Sequence, residues 1–148
     1  MTVEAQITIN KNKTDVWTAI TIISNAADII RGVEKIEILN EPASGFVGLK
    51  WRETRIYFGK PSVIDKWITD ALENKFYKTR AEMDGFIFLT SMTISESGDN
   101  VILTSSHETK SQSFIAKIKS LPMIFFKGML KKAILQDLND IKTAVEQK

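Results

Sequence analysis

The strongest periodic signal in this chain lies near its C-terminal end. Apolar residues recur there at helical spacing and form one stripe: Phe126, Met129, Leu130, Ala133, Ile134, Leu138, Ile141 and Val145. The opposite side is polar: Lys127, Lys131, Lys132, Gln136, Asp137, Asp140 and Lys142. This pattern predicts an amphipathic helix of about 25 residues that begins after Leu121-Pro122. A helix with one apolar face needs a second apolar surface to cover it.

The preceding residues supply that surface, because most of them read as strands. Alternating and β-branched segments predict strands at 3–9, 33–39, 48–58, 63–72, 75–83, 86–95 and 101–109. Two short helices, at 13–23 and up to residue 30, follow the first strand, and Asn12 is the expected N-cap. Asp84-Gly85 is typical of a tight hairpin turn. We therefore predict an α+β fold, in which a curved antiparallel sheet of about seven strands wraps around the C-terminal helix and leaves a cavity.

Composition excludes several classes of function. A length of 148 residues fits one domain, 1–148. The absence of cysteine excludes disulfides and thiolate metal sites, and with no signal-peptide pattern or long apolar run we expect a cytoplasmic protein. A net charge of +2 is no argument for nucleic-acid binding. No glycine-rich phosphate loop and no zinc or calcium motif occurs, so we expect neither a cofactor nor a metal.

Several short stretches resemble a known superfamily. They are ITIN at 7–10, VWTAI at 16–20, GLKWRETR at 48–55, FGK at 58–60 and DLNDIK at 137–142 with Glu146. Together with the element order they resemble the START-like superfamily called SRPBCC, which has polyketide cyclase/dehydrase and lipid-transport members. The resemblance implies a helix-grip fold with a deep pocket between sheet and helix. It also implies an apolar ligand, such as a lipid, sterol, quinone or polyketide, and no fixed catalytic motif.

Polar candidates for a ligand site lie on the strand at 48–58. Trp51, Glu53 and Arg55 share one face of this strand, whereas Lys50 and Arg52 share the other. Because lysine and arginine favour water, we assign the first set to the pocket. A buried charge without a partner is costly, so we expect Glu53 and Arg55 to pair. The pair either orients a ligand carbonyl, hydroxyl or carboxylate or serves only as a structural ion pair.

His107 is the only histidine of the chain. It shares a strand face with Ser105, but the rise per residue separates their positions by about 7 Å, which predicts no serine–histidine hydrogen bond. We expect a polar pocket residue or an exposed histidine rather than a catalytic one. The carboxylates Asp65 and Glu82 look solvent-facing and are not expected to converge with Glu53 on an acid–base site.

Large apolar side chains are the other candidates for the pocket wall. Besides Trp51 they are Trp67, Phe86, Phe88, Met92, Met123, Phe126 and Met129, and each is alternatively an ordinary core residue. Ile124 and Phe125 have no polar side and pack locally or form a rim. Six lysines without nearby acidic residues accompany them: Lys110, Lys117, Lys119, Lys127, Lys131 and Lys132. They form a solvated face or contact an anionic membrane surface transiently.

Three functions remain open on this reading. The first is the binding or carrying of an apolar small molecule by a monomer or homodimer, without catalysis. The second is a cyclase/hydratase-type enzyme that uses Glu53 or His107. The third is a protein-interaction domain whose cavity has collapsed.

Overall fold

The computed structural model describes residues 1–57, 59–111 and 127–147. Its strands are β1 (Thr2–Ile9), β2 (Val33–Asn40), β3 (Lys50–Tyr57), β4 (Lys60–Leu72), β5 (Phe76–Met83), β6 (Phe86–Ser97) and β7 (Asn100–Ser111). Its helices are α1 (Lys13–Thr21), a 3₁₀ turn (Ile23–Asn25), α2 (Ala26–Ile29) and α3 (Lys127–Glu146). The predicted order of elements is confirmed.

One seven-stranded antiparallel sheet holds all these strands, in the order β1-β7-β6-β5-β4-β3-β2. Register shifts occur in β2, between Val33 and Lys35 and again between Ile38 and Asn40, and in β4 after Ile68. Such bulges bend a strand and increase its twist. They contribute to the curvature with which the sheet wraps around α3.

Local sequence signals set the turns and caps. The Asn12 side chain accepts a hydrogen bond from the Asp15 backbone N–H at 2.9 Å and caps α1 as expected. Asp84 and Gly85 have φ angles of 53° and 80°. Two successive positive φ values are those of a type I′ turn, whose twist matches that of the flanking strands. The β5–β6 hairpin is thereby fixed in register, with Met83 opposite Phe86.

The core lies between α3 and the concave face of the sheet. Ile134, Leu138, Ile141 and Val145 of α3 are buried, as the apolar stripe predicted. They join one cluster with apolar residues of β1, β7 and α1, including Val3, Ile9, Leu103, Val16 and Ile20. Met129 departs from the prediction, because it is 48% exposed.

The end of α3 is attached to the end of β1. Lys142 Nζ donates a hydrogen bond to the Thr8 carbonyl oxygen at 2.6 Å, and the Asn10 backbone N–H donates one to Glu146 Oε2 at 3.1 Å. These contacts fix where α3 crosses the sheet. No helix within the described parts of the chain is long and apolar enough to cross a membrane.

Candidate functional site

Two adjoining cavities lie between part of α3 and the sheet. The smaller has a volume of about 110 Å³ and is bounded on one side by α1, the 3₁₀ turn and α2. The larger has a volume of about 310 Å³ and a largely apolar surface from β4, β5, β6, β7 and the first turns of α3. Six polar or charged residues line both cavities: Arg55, Lys66, Thr79, Thr90, His107 and Asp137. The boundary between the cavities is therefore a polar cluster inside an otherwise apolar space.

Glu53 on β3 is the centre of this cluster, with 5% of its surface exposed. Its Oε2 accepts hydrogen bonds from Arg55 Nε and Lys66 Nζ, both at 2.9 Å. Its Oε1 accepts one from Trp51 Nε1 at 3.3 Å. The ion pair expected between Glu53 and Arg55 is present, and Lys66 from the neighbouring strand completes it.

Arg55 links this carboxylate to α3. Arg55 Nη2 lies 2.8 Å from Asp137 Oδ2, so one guanidinium bridges an anion of the sheet and an anion of the helix. The sequence reading placed Asp137 on the polar side of the helix, and this was wrong. Asp137 lies three residues after Ile134 and four before Ile141, a spacing that puts the three side chains on one helix face.

The charges in the cluster have strongly different environments. Burial alone would raise the pKa of Glu53, but attraction to Lys66 and Arg55 and their hydrogen bonds lower it to about 2. For Asp137 burial outweighs the attraction to Arg55, and its pKa is raised. Glu53 is thus a permanently ionised group near neutral pH, held by two cations.

His107 on β7 lines both cavities, which agrees with the expected polar pocket residue. Burial, together with the positive charges of Lys66 and Arg55, lowers its pKa to about 4. The expectation that Ser105 is too distant was wrong, because Ser105 Oγ lies 2.8 Å from His107 Nε2. Side chains two residues apart share a strand face, and the long imidazole arm spans the gap that the backbone rise leaves.

The remaining sequence candidates divide into two groups. Phe88 lines the larger cavity, whereas Met92 and Trp51 line the smaller one. Phe86, Trp67 and Met129 line neither cavity. Met123 and Phe126, and likewise Ile124 and Phe125, lie outside the described residues.

Trp67 shows why one candidate was misplaced. In the β3–β4 ladder Lys66 pairs with Trp51, and Trp67 pairs with Lys50. Trp51 faces the cavity, so Lys66 does as well and Trp67 faces the other side of the sheet. There the Lys50 ammonium lies 5.7 Å from the Trp67 ring centre. The expectation that Trp67 lines the pocket was therefore wrong, because its strand phase directs the ring to the outer face.

Sequence reasoning also missed Lys66 and Thr79 as cavity residues. Strand phase is the signal that indicates their position. Lys66 lies two residues before the buried Ile68 on β4, and Thr79 lies between the buried Tyr77 and Ala81 on one face of β5. Asp65 and Glu82 were placed correctly. Asp65 pairs with Arg52 at 2.8 Å on the outer face, and Glu82 is exposed. Among the described residues no group of histidine, aspartate and glutamate side chains could hold a metal ion.

Known structures share this architecture, although neither a family profile nor a curated protein sequence matches the chain. A START superfamily protein from Mycobacterium smegmatis superposes with a TM-score of 0.81 at 15% identity, over 99% of this chain and 97% of that one. This chain has a START-like fold. An aromatase/cyclase from Streptomyces sp. R1128 has the same START-like fold, with a TM-score of 0.78 at 16% identity over 99% and 94% of the two chains.

Norcoclaurine synthase from Thalictrum flavum is a third structure with the START-like fold. Its TM-score is 0.71 at 17% identity, over 100% of this chain and 87% of that one. The helix-grip arrangement that the sequence motifs implied is therefore confirmed. At these identities the likeness concerns the fold, and the cavity side chains have to be interpreted on their own.

Proposed function

We propose that this START-like chain binds a small, largely apolar molecule between its sheet and α3, and holds or carries it rather than transforming it. The observation behind the proposal is the cavity of about 310 Å³ with a largely apolar wall and a polar cluster at its inner end. A pocket with an apolar wall and a few convergent polar groups is the usual form of a small-molecule site. The polar cluster would orient the ligand, and the wall would supply most of the affinity.

The cavity volume limits the size of the ligand. A protein cavity of about 150 Å³ accommodates one benzene ring. The larger cavity, at about 310 Å³, has roughly twice that volume, which suits a fused two-ring system or a short chain of similar bulk. The polyketide-like and quinone-like ligands implied by the family resemblance are compatible with this size at the small end of their range.

The charges favour binding over acid–base catalysis. A general acid or base works best when its pKa lies near the working pH. The pKa of Glu53 is lowered to about 2 and that of His107 to about 4, each well below neutrality. The serine–histidine contact lacks a carboxylate that would orient and activate the imidazole, because the described hydrogen bonds of His107 are to Ser105 and Thr90.

The enzymatic alternative rests on the neighbours in fold. The Streptomyces structure is an aromatase/cyclase, and norcoclaurine synthase has been solved with dopamine and hydroxybenzaldehyde bound. A cyclase of this type would use Glu53 or His107 in the same cavity. The third alternative, an interaction domain with a filled interior, is less compatible with a cavity of about 310 Å³.

Location and surface contacts are part of the proposal. We infer a cytoplasmic location from the lack of cysteine, and we propose separately that the protein is a monomer or homodimer. Lys110, Lys127, Lys131 and Lys132 are exposed beside the larger cavity, which supports transient contact with an anionic membrane surface during ligand exchange. Lys117 and Lys119 lie outside the described residues.

Native mass spectrometry of freshly purified protein, followed by denaturing extraction, tests the proposal. We expect an additional mass of a small apolar compound that is released on denaturation. The variant Ala133→Phe places a ring in the larger cavity and should remove that mass. Gln136→Phe adds the same ring at an exposed position of α3 and should retain it. A ligand-free wild type that also fails to bind naphthalene-sized compounds would refute the proposal.

A further inference from the structure

The Thr79 hydroxyl is a buried polar group that faces the cavities. Thr79 has 6% of its surface exposed and lines both cavities. Within residues 1–57, 59–111 and 127–147 its hydroxyl has no hydrogen-bond partner. In this part of the chain Asn74 Oδ1 is the one side-chain polar atom that is both unpaired and fully buried. The Thr79 hydroxyl is therefore accessible from the cavity space. Buried polar groups are almost always hydrogen-bonded. A partner supplied from within the cavity would satisfy this rule.

Thr79 begins a polar row that crosses the floor of the site. It lies directly opposite Thr90 on β6, and Thr90 lies directly opposite His107 on β7. Opposed side chains of neighbouring strands are about 5 Å apart. Thr90 Oγ1 is 3.5 Å from His107 Nδ1, a long contact that leaves the Thr90 hydroxyl with capacity for a better partner. The row therefore offers uncharged donors and acceptors within reach of one small polar group.

The charged groups around this row are already matched. Glu53 lies between Arg55 and Lys66, and Arg55 also contacts Asp137. Glu108, the other described carboxylate of the cavity wall, is 3.6 Å from Lys110. Three cations, Arg55, Lys66 and Lys110, thus balance the charges of three anions, Glu53, Asp137 and Glu108. His107 is neutral at pH 7, because its pKa is lowered to about 4. Among the described residues that line the two cavities, no unmatched charge is left to pair with an ionised ligand group, and an unpaired charge is costly in a buried site.

We propose that the ligand carries an uncharged oxygen, a hydroxyl or a carbonyl, that hydrogen-bonds to Thr79 and Thr90. This inference rests on the proposed binding function and specifies its ligand class. The apolar body of the molecule then fills the larger cavity, and its oxygen lies at the boundary with the smaller one. The ion pairs around Glu53 hold the neighbouring side chains in place and do not bind the ligand as ions.

Equilibrium dialysis at pH 7 with three matched probes tests this inference: naphthalene, 2-naphthol and 2-naphthoate. We expect 2-naphthol to bind about 3- to 10-fold more tightly than naphthalene, the effect of one net hydrogen bond. We expect 2-naphthoate to bind at least about 10-fold more weakly than 2-naphthol, because its charge is unmatched. Tighter binding of 2-naphthoate than of 2-naphthol would overturn the inference.

The variant Thr79→Val removes the hydroxyl and keeps the shape. It should reduce 2-naphthol affinity to that of naphthalene and leave naphthalene binding unchanged, which also shows that the cavity is intact. Thr90→Val should act in the same direction. Thr93→Val makes the same change at an exposed position of β6 and should have no effect.

The outcomes separate the two proposals. If no probe binds the ligand-free wild type, the proposed function fails. If naphthalene binds but 2-naphthol has no advantage, only the inference about the oxygen fails. Equal losses of naphthalene and 2-naphthol binding in Thr79→Val would assign Thr79 a packing role and overturn it as well.

Discussion

Replacing Glu53 by glutamine removes the anion between Lys66 and Arg55 while preserving side-chain size. Burial raises the pKa of Glu53, but the two cations more than offset this and lower it from 4.5 to about 2. The difference between 4.5 and about 2 is about 2.5 pKa units, and at 1.36 kcal/mol for each unit it corresponds to about 3 kcal/mol at pH 7. We expect Glu53→Gln to lower the free energy of unfolding by about this amount.

The pH dependence of the stability loss in Glu53→Gln follows from the direction in which folding shifts the pKa of Glu53. The pKa of Glu53 is lower in the folded state than in the unfolded state, so the stabilisation is complete well above pH 4.5 and is lost as the pH falls through about 2. At pH 3 about 1 kcal/mol of it should remain. The wild type and Glu53→Gln should therefore converge in stability as the solution is acidified.

Urea unfolding of both proteins at pH 7, 5 and 3 measures the effect. Asp65→Asn is the matched control, since it makes the same charge change in the solvent-exposed pair with Arg52, where ion pairs contribute little. A difference between wild type and Glu53→Gln that is absent at pH 7, or that is the same at pH 7 and pH 3, would refute the interpretation of Glu53 as a paired anion.

Three further measurements test other parts of the structure. His107, the only histidine, should show no imidazole titration between pH 6 and 8 by NMR, because its pKa is lowered to about 4; a midpoint near 6.5 would contradict its burial beside cations. Leu138→Ala should cost about 2–5 kcal/mol in urea unfolding, whereas Asn139→Ala at the exposed neighbour should cost little. Asp137→Asn should leave the free energy of unfolding at pH 7 unchanged or raise it, and its effect at pH 3 should be smaller. The reason is that the pKa of Asp137 is raised in the folded state, so ionisation of this carboxyl opposes folding. A large loss of stability at pH 7 in urea unfolding would contradict this.

The fold was predictable because each element buries one face. In a half-buried strand apolar and polar residues alternate, and a helix that packs on a sheet has an apolar stripe along one face. The sequence pattern therefore indicates the strands and α3 directly. The start of β4 was predicted at residue 63 and lies at Lys60. Pro61 is accommodated within β4 because β4 extends beyond β5 there and pairs only with β3.

The site was predictable only in part, for a different physical reason. Alternation from Trp51 placed Glu53 and Arg55 correctly, since one face of β3 was clearly less suited to water. On β4 and α3 both faces carry polar residues, so residue type could not show that Lys66 and Asp137 point inward. Their placement depends on which oppositely charged groups approach from other elements, and single-sequence periodicity contains no such information.

The attachment of α3 to β1 has a consequence for how the chain is made. Lys142 and Thr8, which hydrogen-bond to each other, are 134 positions apart. At a synthesis rate of about 5–20 residues per second, β1 leaves the ribosome on the order of 10 s before its helical partner exists. Throughout that time the concave face of the growing sheet has no cover from α3. The newborn chain therefore has an uncovered apolar surface, the condition under which folding intermediates aggregate, until α3 has been synthesised.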